Sequence, residues 1–235
     1  MSNINPIPVN GIRIYPFKNQ KELFTIIENK KIILFAINAE KILHSNKQMV
    51  DLINKNIGYA DGVGARWALE KRGANDVIKI PGCELWLEIV NYFLEEKSFY
   101  LIGGTEKVIK ETVDKLNLEF PNFKLLGFRN GYFKSDDDKL ELINDVLEKK
   151  PDIVFVAMGS PKQEILMSEL YKVHPAIYQG LGGSFDVYTG NAKRAPKWWI
   201  ENNLEWAYRL IKQPSRIKRQ FHLIRFYFLL KFNKL

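Results

Sequence analysis

Short apolar runs that stop on glycine or a small polar residue recur along this chain: KIILFAIN, IGYAD, SFYLIGG, DIVFVAMG and AIYQGLGG. Between them lie stretches of helical period. A continuous apolar run of this length suits a strand buried on both faces, and an intervening helix supplies the crossover that parallel pairing requires. Helices are expected at roughly 39–54 and 64–72, then over CELWLEIVNYFLEE, TEKVIKETVDKLNLEF with Thr105 as cap, DDDKLELINDVLEKK and PKQEILMSELYKVH. The expected fold class is therefore α/β, a mostly parallel sheet with helices on both faces.

The composition, 46% apolar and 26% charged over 235 residues, fits one globular domain with an appendage and excludes a disordered chain. A single cysteine, Cys83, leaves no intrachain disulfide and stands without the Cys and His partners of a metal site. No spacing of His or carboxylates points to a bound metal, so neither metal nor cofactor is expected. The opening MSNINPIPVNGIRI lacks the pattern of an export signal, and no apolar run approaches the roughly 20 residues of a spanning helix. A cytoplasmic protein, soluble or peripheral to the membrane, is the expectation.

Charge is unevenly spread. From Asn191 to Leu235 eleven Lys and Arg stand against two Glu, +9 of the chain's net +8, which leaves −1 for the first 190 residues. The expected division is thus a near-neutral domain over 1–190 and a basic, helical appendage over 191–235.

In open parallel sheets ligands collect beyond the carboxyl ends of the strands. The runs here end in Asn38 (followed by Glu40), Asp61, Gly103-Gly104, Gly159-Ser160 and Gly182-Gly183. LIGGTEK can present backbone N–H groups and a helix N-terminus to phosphate, although a tight structural turn explains it equally and the full dinucleotide and P-loop signatures are missing. In MGSPKQE, Ser160 is placed to cap a helix with Pro161 in its first turn. Capping alone does not call for Lys162, Gln163 and Glu164 together, which favours a binding role. Asp61 before Gly62 reads either as an Asp-Gly turn or as a carboxylate held as general base. Glu40 complements a helix dipole or faces a ligand; His44 and His174 belong to no motif and read as structural.

The tail LEWAYRLIKQPSRIKRQFHLIRFYFLLKF intersperses aromatic and aliphatic residues with Arg and Lys. Such a helix can lie on an anionic membrane surface, where each cation contributes on the order of 1 kcal/mol. A homo-oligomer interface and a nucleic-acid surface compete with that reading. The density of Phe, Leu and Ile from Phe221 onward favours lipid, because a phosphate backbone rewards mainly charge, and no nucleic-acid partner is expected.

In order, FAINAEKI, YADGVGAR, PGCELW, FYLIGGTEKV, NGYF, VAMGSPKQEI, GLGGSFDVYTGNAKRAP and LEWAYRLIKQPSRIKRQ resemble the WecG/TagA/CpsF glycosyltransferases of bacterial surface polysaccharides. VAMGSPKQEI, VHPA, KRAPKWW and QPSRIKRQ look most like the branch that transfers N-acetylmannosaminuronate in enterobacterial common antigen synthesis. The resemblance implies metal-independent, inverting transfer from a UDP-sugar donor to a polyprenyl-diphosphate-linked saccharide acceptor on the inner face of the cell membrane. It also implies a Rossmann-like fold and a C-terminal appendage that docks on the membrane surface.

Carried over by position, Asp61 is the candidate base. The loop Gly159, Ser160, Lys162, Gln163 and Glu164 and the segment with Gly183 and Asp186 would hold nucleotide and sugar, Asp186 as a candidate contact to the uracil; Asn38, Glu40, Gly103 and Gly104, read from the strand ends, join them as candidate substrate-binding residues. Arg216 and Arg219, with Arg194, would offset the charge gathering on the leaving UDP. An acidic uronate would favour a further cation in the sugar pocket; Arg66 and Lys41 are candidates, although surface helices carry such residues routinely. Ala36 stands where the family commonly has Thr, which leaves open another hexose donor such as UDP-glucose, or a UDP-sugar-binding module without catalysis.

Overall fold

The computed structural model describes residues 4–202, 204–212 and 217–235, with the backbone alone for residues 209, 212 and 217–221. The chain opens on a hairpin of β1 (Ile7–Val9) and β2 (Ile12–Ile14), paired antiparallel. Its turn is Asn10-Gly11, with φ of 47° and 80°. A two-residue hairpin turn with positive φ at both positions is what favours Asn-Gly there.

Next come α1 (Gln20–Ile27), β3 (Ile32–Ile37), α2 (Ala39–His44), α3 (Lys47–Asn54), β4 (Ile57–Ala60), α4 (Val63–Lys71) and α5 (Gly82–Tyr92). They are followed by β5 (Phe99–Gly103), α6 (Glu106–Glu119), β6 (Leu125–Arg129), α7 (Asp136–Lys149), β7 (Ile153–Ala157), α8 (Lys162–Val173), β8 (Ile177–Gly180) and α9 (Ser184–Tyr188). The C-terminal segment carries α10 (Lys197–Glu201), α11 (Glu205–Lys212) and α12 (Ile217–Lys231).

A six-stranded parallel sheet has the order β4-β3-β8-β7-β5-β6 and is flanked by helices, the α/β architecture that the strand-helix alternation predicts. Thr105 caps α6 as expected, its side chain accepting from Val108 N–H. The helix expected over 39–54 is instead two. Asn46 is extended, and its side chain accepts from Met49 N–H at 2.9 Å, which starts α3 afresh. The apolar period runs on across Ser45-Asn46, but Asn offers the backbone a better partner at a helix start than inside one.

The chain divides into two compact units, and β3 belongs to both. One contains residues 23–34 and 82–193. Here β8 pairs with β3 through Ile32↔Ile177 and with β7 through Val154↔Tyr178, while β5 lies between β7 and β6. Every residue of β5, β7 and β8 is buried. At about 1.5–3 kcal/mol per buried Val, Ile or Phe side chain, this explains why these runs are uninterrupted rather than alternating. Trp86 of α5, fully buried, meets Phe155, Phe185 and Tyr188 edge-on.

At the amino ends of β5 and β7, Ser98 donates its backbone N–H and its hydroxyl to Asp152 Oδ2, at 2.8 and 2.6 Å. Partial burial raises the Asp152 pKa, but the Ser98 bonds outweigh it and hold the carboxyl below its ordinary value. A depressed folded-state pKa stabilises fully above the ordinary carboxylate range, and that contribution is lost as pH falls through the folded value. Because Asp152 is exposed, the loss on Asp152→Ala is expected to be only about 1 kcal/mol. Urea midpoints should show it at pH 7 and show the gap narrowing below about pH 4.

The other unit contains residues up to Glu22, 35–81 and 194–235. Tyr15 N–H donates to Gly58 O at 2.8 Å, and a Cβ on Gly58 would stand 2.8 Å from Arg13 O. Helix α12 packs on α2 and α4, burying Phe226 and Leu230. A Cβ on Gly64 of α4 would lie 3.2 Å from Leu223 Cδ1, so the glycine lets the two helices approach. The opposite stripe of the C-terminal segment, Ile224, Phe228 and Phe232, is 47%, 52% and 64% exposed. Among the described residues no helix is long and apolar enough to cross a membrane.

Candidate active site

In the unit that contains Asp61, the ends of β3 and β4 meet: Asp61 N–H donates to Ile37 O at 2.9 Å. This places partly exposed Asp61 beside Asn38, the first residue after β3. Gly62 follows with φ 91°, a conformation that carries the chain from the strand end into α4 at little cost only for glycine. Asn38 caps α2, its Oδ1 accepting from Lys41 N–H at 2.9 Å, and Glu40 lies in the first turn of that helix. Lys41 Nζ donates to Ala36 O at 3.1 Å, and Arg66 Nε pairs with Glu70 at 2.6 Å. The structure therefore brings Asp61, Asn38 and Glu40 to one strand-end cluster.

In the other unit, the turns that follow β5, β7 and β8 form a second cluster. Gly104 N–H donates to Ala157 O at 3.1 Å, and a Cβ on Gly103 (φ 138°) would fall 2.2 Å from that same oxygen. Gly131 N–H donates to Gly104 O, and a Cβ on Gly131 would stand 3.1 Å from Gly103 Cα. The sequence reading gave Gly131 no role, although the Asn-Gly step after a strand marks such a turn.

Gln163 holds the other two turns together. Its Oε1 accepts from Gly159 N–H at 3.1 Å and from Gly182 N–H at 2.8 Å, and its Nε2 donates to Glu164 Oε1 at 3.3 Å. Gln163 and Glu164 are 5% and 1% exposed. Gly180 makes room for the amide, since a Cβ there would meet Gln163 Nε2 at 2.5 Å. Ser160 is not the cap expected from the sequence: Pro161 occupies that position, without a side-chain cap bond. Gln163 takes over the task, its N–H bonding Gly159 O while its side chain receives the Gly159 N–H. Ser160 and Lys162 are exposed at the positive end of α8, where they can meet an anion. Gly183 precedes α9, on which Asp186 is partly exposed and accepts from Ala192 N–H through its carbonyl.

Arg194 lies 3.7 Å from Glu205 Oε1 of α11, both side chains about four-fifths buried, so its charge is partly offset. Arg216 falls outside the described residues; Arg219 is on α12, its side chain outside them. His44 has a partner that no motif suggested: its Nε2 lies 2.9 Å from His222 Nδ1. Among the described residues, no three His, Cys, Asp or Glu stand together as a metal site would require.

The profile of the glycosyl transferase WecG/TagA/CpsF family matches residues 7–235, both clusters and the C-terminal helices included. The chain belongs to this family. It is a glycosyltransferase of the kind that serves polysaccharide synthesis, and the strand-end clusters are where its chemistry should be sought.

Proposed function

We propose that this glycosyltransferase moves an N-acetylmannosaminuronate or N-acetylmannosamine residue from a UDP-sugar to a saccharide carried on polyprenyl diphosphate, with inversion at the anomeric carbon. The observation that carries the reading is the position of Asp61, a carboxylate at the end of β4 beside Asn38. The acceptor hydroxyl oxygen forms the new bond to the anomeric carbon while the bond from that carbon to the UDP oxygen breaks. Attack opposite the leaving group inverts the centre, Asp61 takes the hydroxyl proton, and UDP departs with the bonding pair. We assign the turns around Gly103, Gly159 and Gly183, with Lys162 and Asp186, to the nucleotide and sugar. Arg216 and Arg219, with Arg194, offset the charge developing on UDP.

A donor screen with a defined lipid-linked acceptor tests the reading. UDP-N-acetylmannosamine or its uronate should give product, and UDP-glucose should not; transfer from UDP-glucose alone would replace the proposed donor.

The second apolar stripe of the C-terminal segment supports attachment to the inner membrane surface, because Ile224, Phe228 and Phe232 recur every four residues with Arg225 and Lys231 between them. Deleting the chain after Ala195 is expected to release the protein from anionic liposomes and to remove transfer. Co-sedimentation unchanged by the deletion would contradict the assignment. Replacing Ile224, Phe228 and Phe232 by Ser should weaken liposome binding while Phe226 and Leu230 keep α12 seated.

A further inference from the structure

Helix α9 is only five residues long, Ser184–Tyr188, yet it carries Asp186, assigned above to the nucleotide. An isolated helix needs about 12–15 residues to persist in water, so what holds α9 from outside sets the direction in which it presents that carboxylate. On its inner side Phe185 is fully buried against Trp86, and Ser184 and Thr189 return their hydroxyls to the carbonyls of Leu181 and Phe185. Its N-terminal end has no side-chain cap bond.

The C-terminal end is held by one face of α6, on which Glu111, Lys115 and Glu119 follow one another at i, i+4 and i+8. Lys115 Nζ donates to the Tyr188 carbonyl at 2.8 Å, one of the carbonyls that a helix end leaves without a partner in the helix. The same ammonium stands 4.3 Å from the centroid of the Tyr188 ring. The Tyr188 hydroxyl donates to Glu119 Oε2 at 2.6 Å, and Glu119 Oε1 lies 3.8 Å from Lys115 Nζ, so ring, cation and carboxylate close a circuit. Burial, and then the Glu119 carboxylate, push the Tyr188 phenol far above its ordinary pKa, which keeps it a donor. Beyond α9, Asn191 Nδ2 donates to Glu111 Oε2 at 2.6 Å and to Thr189 Oγ1 at 2.8 Å.

This latch joins two strand-end turns through the helices that leave them. Helix α6 begins just after Gly103-Gly104, and α9 directly after Gly183. Gly104 bonds the β5 turn to β7, and Gln163 bonds the turns after β7 and β8 to each other; the latch closes the remaining side. We propose that Lys115, Glu119 and Tyr188 are positioning residues for the donor: without touching it, they fix α9, and with it Asp186, at the nucleotide. The inference rests on the UDP-sugar reading above.

The test is calorimetric titration of the full-length protein with UDP, in Lys115→Met, Tyr188→Phe, Asp186→Ala and the Lys115→Met/Asp186→Ala double variant. Apparent affinity scales with the fraction of molecules that hold α9 in place, so Lys115→Met, which keeps the stem and loses the cation, should weaken UDP binding about fivefold. Tyr188→Phe, which loses only the bond to Glu119, should act in the same direction and less. Lys115→Arg keeps a cation over the ring and should restore most of the affinity. In the Asp186→Ala background Lys115→Met should add nothing, because the contact it positions is already gone. With UDP-sugar as substrate, the donor KM should rise in Lys115→Met with kcat retained. A thermal midpoint that falls in Lys115→Met and Tyr188→Phe while UDP affinity stays that of wild type would overturn the proposal. So would a loss in Lys115→Met that adds in full to the loss in Asp186→Ala. UDP affinity unchanged in Asp186→Ala but reduced in Lys115→Met would overturn the assignment of Asp186 alone, with the latch still positioning α9. No UDP binding by the wild type would overturn the donor reading itself.

Discussion

Asp61→Asn is expected to reduce sugar transfer by about 10²- to 10⁴-fold, the usual contribution of a positioned general base, while UDP affinity is unchanged. The substitution is nearly isosteric. The backbone bond from Asp61 N–H to Ile37 O survives the change. The loss therefore falls on kcat, because the amide can still orient an acceptor hydroxyl but cannot take its proton at neutral pH. Single-turnover transfer with saturating donor and acceptor, alongside UDP titration and the thermal midpoint, separates the outcomes. Transfer within a few-fold of wild type would remove Asp61 as base; a lowered midpoint would mean that the carboxylate holds the β4 end together. Asn38→Ala is the informative companion, since it frees Lys41 N–H and loosens α2 without touching a proton acceptor.

Which parts of this architecture the sequence discloses follows from what each residue's neighbours are. The strands are legible because β5, β7 and β8 are buried on both sides, leaving apolar runs that a helix of similar length would interrupt. The Thr105 cap is legible for the same reason: its partner, Val108 N–H, is three residues away. The strand order is not, since the pairing of β8 with both β3 and β7 depends on crossovers that the local pattern does not encode. The break between α2 and α3 was carried by Asn46 but masked by an unbroken apolar period. For the candidate site, the residues at the strand ends could be named, yet their partners could not. Gln163 sits next to Lys162 in MGSPKQE and reads like another ligand-facing side chain. Only the return of the chain at Gly182 reveals that its oxygen is shared between two turns. His44 is the same case, paired with a residue 178 positions away.

That shared oxygen gives Gln163→Leu the largest expected cost in stability. Leucine fills nearly the same volume, so no cavity forms, but the Gly159 and Gly182 amides lose their acceptor together. An orphaned donor costs about 1–3 kcal/mol; both glycines are partly exposed, which lets water compensate in part and sets the total at about 2–3 kcal/mol. For a chain of this size that lowers Tm by roughly 5–10 °C. UDP affinity should weaken as well, because the two turns are no longer held to each other. Gln163→Glu distinguishes the clamp from simple polarity. It keeps an acceptor for both amides but sets a second carboxylate against Glu164 Oε1, where the Gln163 amide had donated at 3.3 Å. Two adjoining buried carboxylates push the folded-state pKa of the pair above its unfolded value, so one proton is taken up on folding. The deficit of the Glu variant should accordingly be large at pH 8 and shrink as pH falls through that raised value, while the deficit of the Leu variant stays constant. If both variants melt with the wild type at pH 8, the two turns are held by something other than Gln163.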